Sequence, residues 1–261
     1  MQRSSNVYIV LFAAVVCVVC ALFVSTAAVA LRERQEVNQI LDRQKKVLTV
    51  AGLTDADSRP TAEEVQRLFE QNIRSKIVDL SDGRYAPDID AATYDQREAA
   101  ADPELSHPAP ANRAGVVRVP NYARIYEVVE GAEATALILP IEGKGLWSTL
   151  YGFLAISPDT QTIKGITFYE HGETPGLGGE VDNPRWKAKW PGRKIFDADW
   201  KPVIRVTKGA AGSPDADPYQ VDGLSGATIT SRGVTNLLQF WLGENGFGPY
   251  LADLRTRGMR S

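Results

Sequence analysis

Cysteine is scarce in this 261-residue chain. The two present, Cys17 and Cys20, both lie in one apolar run near the N-terminus, which leaves the remainder without a disulfide or a thiolate metal site. Their C-x-x-C spacing has no His, Asp or Glu nearby, so they read as small polarizable filling on one face of an apolar helix. Histidine is as rare. His107 stands alone between Ser106 and Pro108 in a loop and reads as solvated, and His171 with Glu173 supplies only two of the ligands that a metal site needs. The chain also lacks the Gly-rich strand-to-helix fingerprint of a dinucleotide fold and a phosphate loop ending in Gly-Lys-Ser/Thr. With a net charge of -3 it has no electrostatic reason to bind nucleic acid. Trp186, Lys187, Lys189, Trp190, Arg193 and Lys194 are read as a capped amphipathic element whose lysine stems lie over indoles, in preference to a surface for single strands.

Long apolar runs are limited to one. Residues 7–31 carry no charge and as a helix would extend about 37 Å, enough for the ~30 Å hydrocarbon core with some tilt. Tyr8 is placed for the interface. Ala28-Val29-Ala30 also fits a signal-peptide cleavage site, but the apolar stretch is much longer than the roughly 7–15 residues of a signal core, so an uncleaved anchor is the reading. Arg3 on one side and Arg32 and Arg34 on the other leave the positive-inside rule nearly silent. Residues 32–53 place Val37, Ile40, Leu41, Val47 and Leu48 at helical spacings and predict a charged helix that is either a solvated stalk or one covering layer of the domain. A second helix is expected from Thr61, with Glu63 and Glu64 in its first turn and Val65, Leu68, Phe69 and Ile73 as its buried stripe. Residues 81–115, rich in Ala, Asp and Pro, have little periodicity and read as a long surface excursion, packed on the domain or partly mobile.

From residue 123 the pattern becomes strand-like. Residues 124–129 and 135–141 flank Glu130-Gly131-Ala132-Glu133, a hairpin candidate, and residues 151–157 and 163–169 flank Pro158-Asp159-Thr160-Gln161, a turn. Adjacent strands with short turns favour antiparallel pairing. The expected fold class is α+β: a single transmembrane helix, then a domain with a largely antiparallel sheet and flanking helices. The expected divisions are residues 1–6, 7–31 (anchor), 32–115 (stalk and excursion) and 116–258 (the sheet domain).

Two segments carry candidate chemistry. In residues 171–180, Pro175-Gly176 suits a type II turn, and Gly178 and Gly179 permit close backbone approach. A flat apolar ring could rest on Leu177 and Pro175 while Thr174 meets its polar edge; a tight glycine loop with no ligand fits the same residues. In residues 222–231 a hydroxyl-bearing turn, with Ser225, Gly226, Ala227 and Thr228, leads into a helix. There Val234, Leu237, Leu238, Trp241 and Leu242 share one face. The unpaired N–H groups and positive dipole of such a helix start would stabilise a phosphate. Ser225, Thr228, Thr230 and Ser231 equally suit N-caps, and Asp222 before Gly223 can simply shape a turn.

Asp222 followed three residues later by Ser225-Gly226-Ala227-Thr228 resembles the flavin-attachment motif of proteins that carry FMN through a threonine hydroxyl. Together with Leu41-Asp42-Arg43-Gln44-Lys45-Lys46-Val47-Leu48, the Pro140-Ile141-Glu142-Gly143-Lys144-Gly145-Leu146-Trp147-Ser148-Thr149-Leu150-Tyr151-Gly152 stretch, and Glu170-His171-Gly172-Glu173-Thr174-Pro175-Gly176-Leu177-Gly178, it is similar to the C subunit of the sodium-translocating NADH:quinone reductases. The resemblance covers nearly the whole chain. It implies an FMN domain on the periplasmic face of a bacterial inner membrane, with residues 1–6 as a cytoplasmic tail and FMN joined to Thr228 by a phosphoester. It further implies a separate flavin transferase that reads the segment with Asp222, Ser225, Gly226 and Ala227, and cofactor contacts from Thr174, Gly176, Leu177 and Lys144. No metal and no catalytic residue beyond the flavin are expected. Partners would be the A, B, D, E and F subunits; single electrons would pass from an iron centre in the membrane subunits to the FMN of the B subunit, toward quinone. The G subunit of the ferredoxin:NAD oxidoreductase (Rnf) complex shares the motif, the loop and the anchor, but residues 143–152 and the long region before the sheet favour the former. An anchored binding or assembly protein without cofactor is the reading from a different class, and a colourless purified domain would support it.

Overall fold

The computed structural model describes residues 6–55, 58, 60–131 and 133–258. Residues 1–5 of the expected tail and Ala132 of the expected hairpin lie outside the described residues. The chain divides into two compact units, Met1–Arg43 and Gln44–Ser261. The first is helical: helix α1 (Asn6–Val50) begins with a stretch long and apolar enough to cross a membrane. Val10, Leu11, Phe12, Leu22, Phe23 and Val24 are all exposed, the outward apolar surface that suits lipid and not water. Val37 and Ile40 of the expected stalk stripe are exposed too, whereas Val47, Leu48 and Val50, at the end of α1 and within the second unit, are buried.

Helix α2 (Ala62–Asn72) starts where Thr61 accepts a hydrogen bond from the Glu64 N–H, with Glu63 and Glu64 in its first turn. Its expected stripe is shorter than the spacing suggested. Val65 is buried and Leu68 and Phe69 half-buried, but Ile73 opens strand β1 (Ile73–Asp79). The Asn72 side-chain amide donates to the Leu68 carbonyl (2.8 Å), and the Ile73 N–H makes the last bond of the helix, to the Phe69 carbonyl. An apolar residue four positions on fits a helix and a strand start equally well.

The excursion has definite structure. Asp95 caps a short helix, α3 (Gln96–Ala101), by accepting from the Arg97 and Glu98 N–H groups. Strand β2 (Ser106–Pro108) pairs with β3 (Arg118–Pro120), and Arg118 donates to the Pro103 and Ser106 carbonyls. Tyr94 donates to the Tyr122 carbonyl, and Arg97 pairs with Glu170. Polar bonds of this kind leave no hydrophobic period to read. His107 is exposed and sits 3.3 Å from Asn121 Oδ1.

Strands β4 (Tyr122–Glu130), β5 (Glu133–Lys144), β6 (Thr149–Ile156) and β7 (Ile163–Glu170) continue as an antiparallel meander, and β1 joins its edge in the order β1-β4-β5-β6-β7. β1 thus comes from the region expected to precede the sheet. Its Arg74, Ser75 and Lys76 give it the polar character of an edge, and Lys76 bonds buried Glu127 on β4 (3.0 Å). The central strand β5 has few exposed residues because both faces are covered. Leu137, Leu139 and Ile141 face one side, opposite Ile156, Leu154 and Gly152. Ile138 and Pro140 pair with Ala155 and Phe153, on the side where Phe69, Tyr126, Phe153 and Tyr169 form successive ring contacts.

After β7 come a 3-10 turn (Gly178–Asp182) and helix α4 (Pro184–Lys187), with Trp186 and Trp190 buried against each other. Trp186 and Trp190 supply the buried side of the amphipathic element expected there, capped by Asn183, while its lysines pair with acids, Lys187 with Asp182 and Lys189 with Asp222. Strands β8 (Arg205–Val206) and β9 (Gln220–Val221) lead into helix α5 (Thr228–Trp241), and α6 (Gly248–Arg257) follows. Val234, Leu237, Leu238 and Trp241 of α5 are buried in the same cluster as Leu137 and Leu139, and Trp241 donates to the Glu142 carbonyl on β5 (2.7 Å).

Leu48 is fully buried within the second unit, so Leu48→Ala should lower stability by about 2–5 kcal/mol, the usual range for truncating a buried leucine. Urea unfolding of a chain starting at Arg32 would register this as a lower midpoint, and an unchanged midpoint would mean that the end of α1 adds nothing to the sheet domain.

Candidate functional site

Helix α5 begins without a side-chain cap. Its N-cap is Ala227, and the first intrahelical bond runs from the Ser231 N–H to the Ala227 carbonyl (3.0 Å). The hydroxyls that sequence offered as caps have other places. Ser231 Oγ accepts from the Leu224 N–H (3.1 Å), which closes the turn before the helix. Thr230 is 0% exposed and donates to Glu173 Oε2 (2.6 Å). Ser225 and Thr228 are exposed. The N–H groups of the first turn therefore stay available while the dipole keeps its positive end uncovered.

Glu173 is the residue that pattern reading missed. It is only 5% exposed, and its carboxylate accepts from the backbone N–H groups of Leu146 (3.1 Å), Trp147 (2.9 Å) and Ser148 (3.2 Å) as well as from Thr230. Burial alone would raise its pKa, but the Thr230 hydroxyl and the three backbone N–H groups outweigh that and hold it below the usual carboxylate range. Packing is tight enough that a Cβ at Gly145 would stand 2.6 Å from Glu173 Oε1, and one at Gly178 would stand 2.6 Å from both Glu173 Oε2 and Thr230 Oγ1. No spacing rule announces such a carboxylate, and in sequence its neighbour His171 drew attention to metal instead. His171 Nε2 is in fact 2.9 Å from Asp182, and its Nδ1 accepts from the Glu173 N–H (3.2 Å). Among the described residues no cluster of His, Cys, Asp and Glu could hold a metal ion.

The turn at Thr174 has the expected form, with the Leu177 N–H on the Thr174 carbonyl (3.1 Å) and Gly176 at φ 77°. Leu177 is 45% exposed and reaches across to the other segment: a Cβ at Gly226, where φ is 69°, would lie 2.9 Å from Leu177 Cδ2. Glu173 holds the 145–148 loop and the Thr230 hydroxyl on one carboxylate, and Leu146, Trp147, Leu177 and Ile229 of these segments are all exposed. Thr174, Gly176, Leu177, Ser225, Gly226, Ala227 and Thr228 are thus brought together. Lys144 is exposed at the end of β5, with its Cβ against Gly115 and its backbone N–H on the Ala114 carbonyl. Asp222 lies at the other end of the turn. Its carboxylate pairs with Lys189 and accepts from the Ala211 N–H (3.0 Å), while its carbonyl accepts from the Trp186 indole (2.8 Å). Burial opposes its charge, yet Lys189 and the Ala211 N–H keep the carboxyl below its ordinary range.

An exposed hydroxyl at the first position of an uncapped helix, beside a rim of exposed apolar side chains, fits a phosphorylated group with a flat apolar ring: FMN has both parts. The FMN-binding domain family matches residues 145–243. The chain is 46% identical over 257 residues to the C subunit of the Na(+)-translocating NADH-quinone reductase of Pseudomonas aeruginosa, covering 97% of this chain and 98% of that one. It is 48% identical to the corresponding C subunit of Vibrio vulnificus over 243 residues, 92% of each chain. The crystal structure of Shewanella oneidensis NqrC superposes with a TM-score of 0.75 at 34% identity, over 82% of this chain and 96% of that one.

Glu173→Gln should destabilise the domain by about 1–3 kcal/mol at neutral pH, because charge-assisted bonds weaken and an amide N–H faces backbone donors. A carboxyl with a depressed folded pKa contributes its stability above its unfolded value near 4.5 and loses it as pH falls through the lower folded value. The gap between wild type and variant should therefore be full above pH 5 and shrink in acid. Thermal melts across pH 3–8 test this, and a gap that does not change with pH would remove the ionised carboxylate from the explanation.

Proposed function

The chain belongs to the family formed by the C subunits of the Na(+)-translocating NADH-quinone reductases, and from that premise we propose that it holds FMN covalently, through a phosphoester to Thr228, as a redox subunit of such a complex. The observation that carries the assignment to Thr228 is the contrast between the two threonines of the first turn. Thr228 presents its side chain to solvent at the helix start, whereas the Thr230 hydroxyl is buried and already donated to Glu173. A buried, bonded hydroxyl is a poor acceptor for a group brought by another enzyme.

Within this reading α5 receives the phosphate on its uncapped N–H groups, and Leu177 offers an apolar support for the ring, with Thr174 and Gly176 forming the turn that presents it. Lys144 adds a cation at the end of β5. When bound, the flavin supplies one-electron transfer chemistry on the way to quinone; the protein contributes position, electrostatics and exclusion of water. Asp222, Ser225, Gly226 and Ala227 make up the surface that a flavin transferase meets. The apolar stretch of α1 anchors the chain in a bacterial inner membrane with the FMN domain on the periplasmic side, beside the A, B, D, E and F subunits. The relatives' identities, which run over more than nine-tenths of the chain, favour this complex over the Rnf type and over a cofactor-free assembly protein.

Thr228→Ala, expressed with a flavin transferase, should lose the mass of FMN less one water from the denatured protein while its melting curve stays near that of the wild type. A fluorescent band that persists in a denaturing gel of Thr228→Ala would place the attachment elsewhere. Leu177→Ala should keep the adduct but shift the flavin absorbance and potential, because removing the side chain gives up at most ~2–3 kcal/mol of apolar contact. An unchanged spectrum and potential would show that the ring rests away from this turn.

A further inference from the structure

Arg232 follows Thr228 by four residues on α5 and, like it, is exposed. Residues at i and i+4 are neighbours on a helix surface. Side chains on a helix lean toward its N-terminus, so the surface that Arg232 covers lies over the turn that begins at Thr228. Of the intervening residues, Thr230 and Ser231 are buried and Ile229 is apolar, which leaves Arg232 as the charged group on this turn. Of the other candidates, the exposed Lys144 stands at the end of β5 and not on this helix turn. Lys189 is paired with Asp222, and Asn236, one turn further along the same face, donates to the Arg113 carbonyl (3.1 Å). Arg232 itself makes no ion pair or hydrogen bond among the described residues.

We propose that Arg232 is a positioning residue for the flavin phosphate: its guanidinium engages the non-bridging oxygens of the phosphate esterified to Thr228 and limits rotation of the tether. The inference rests on the attachment reading above. A phosphoester at position i followed by a cation at i+4 has the favourable orientation of helical ion pairs, negative charge toward the N-terminus. The planar fork of arginine matches two phosphate oxygens at once, which an ammonium does not. With Leu177 near the ring and Arg232 at the phosphate, the cofactor is held at two points, and that removes the swivel of a single-bond attachment.

The test uses the full-length chain produced with a flavin transferase and compares wild type, Arg232→Gln and Arg232→Lys. Peptide mass spectrometry reports the adduct on Thr228, while 31P NMR and flavin fluorescence anisotropy report how the phosphate and ring are held. Arg232→Gln should retain the adduct, shift the 31P resonance and show a mobile flavin fraction about two- to fivefold larger, the scale of an exposed ion pair. Salt at ~1 M should move the wild type toward the variant, and Arg232→Lys should fall between them. An Arg232→Gln protein that carries flavin with wild-type resonance, anisotropy and salt response overturns the proposal. If the glutamine variant folds but stays unloaded while the lysine variant loads, the comparison of wild type with Arg232→Lys decides, and a lysine variant with wild-type resonance, anisotropy and salt response overturns the proposal. If neither variant loads, the salt titration of the wild type decides, and a resonance insensitive to salt overturns it. A wild-type chain with no adduct at Thr228 would instead sink the attachment reading itself.

Discussion

The site depends on one buried carboxylate. Glu173 gathers the backbone N–H groups of the 146–148 loop and the Thr230 hydroxyl onto two oxygens, so a loop between β5 and β6, a turn after β7 and the start of α5 share one anchor. Apolar packing of Leu150, Val181, Leu224 and Ala227 in one cluster brings these segments near each other, and the polar bonds to Glu173 fix how their backbones meet. A buried carboxylate with too few donors would be expensive, and the four it accepts make its desolvation tolerable and its position narrow. The close approach of Gly145 and Gly178 follows from the same constraint, since a side chain at either would strike the carboxylate.

Around that anchor, apolar packing decides where the helix start points. α5 lies over β5 through Val234, Leu237, Leu238 and Trp241, and the Trp241 indole is tied to the Glu142 carbonyl. The register of a helix on a sheet is rigid when its buried face is this bulky. Rotating α5 to expose Thr230 in place of Thr228 would pull those side chains out of the core. Packing at the far end of the helix and hydrogen bonding at its first turn thus select the same orientation.

Much of this was legible in the chain. The four strands of the meander, the helix after Thr61, the amphipathic tryptophan segment and the buried face of α5 all follow from period and turn residues, because in each the signal is apolar spacing. What escaped was held by other forces. β1 was hidden because Ile73 falls on helical spacing after Phe69 and because an edge strand with Arg74, Ser75 and Lys76 carries little apolar signal. Residues 81–115 lacked a period because Asp95, Ser106 and Arg118 organise them through hydrogen bonds. In the site, the two segments were each visible, while their union was not: Glu173 drew notice beside His171, whereas its partners are backbone groups, which a sequence does not display. The cap reading of Ser225 and Ser231 failed for a related reason, since which donor a hydroxyl meets is decided by the fold around it.

The turn before α5 is fastened at both ends and open in the middle. At its start the Asp222 carbonyl holds the Trp186 indole and its carboxylate holds Lys189 and the Ala211 N–H; at its close Ser231 Oγ holds the Leu224 N–H and Thr230 holds Glu173. Between these fixed points the outward residues are Ser225, Gly226, Thr228 and Ile229. From solvent those four residues are reached first, whereas the Asp222 carboxylate is engaged by Lys189 and the Ala211 N–H. Asp222 therefore sets the shape in which the open residues are shown, through its bonds to Trp186, Lys189 and Ala211. Residues two apart on a helix point about 200° away from each other, so a turn locked at this angle presents one threonine to solvent and commits the other to the core.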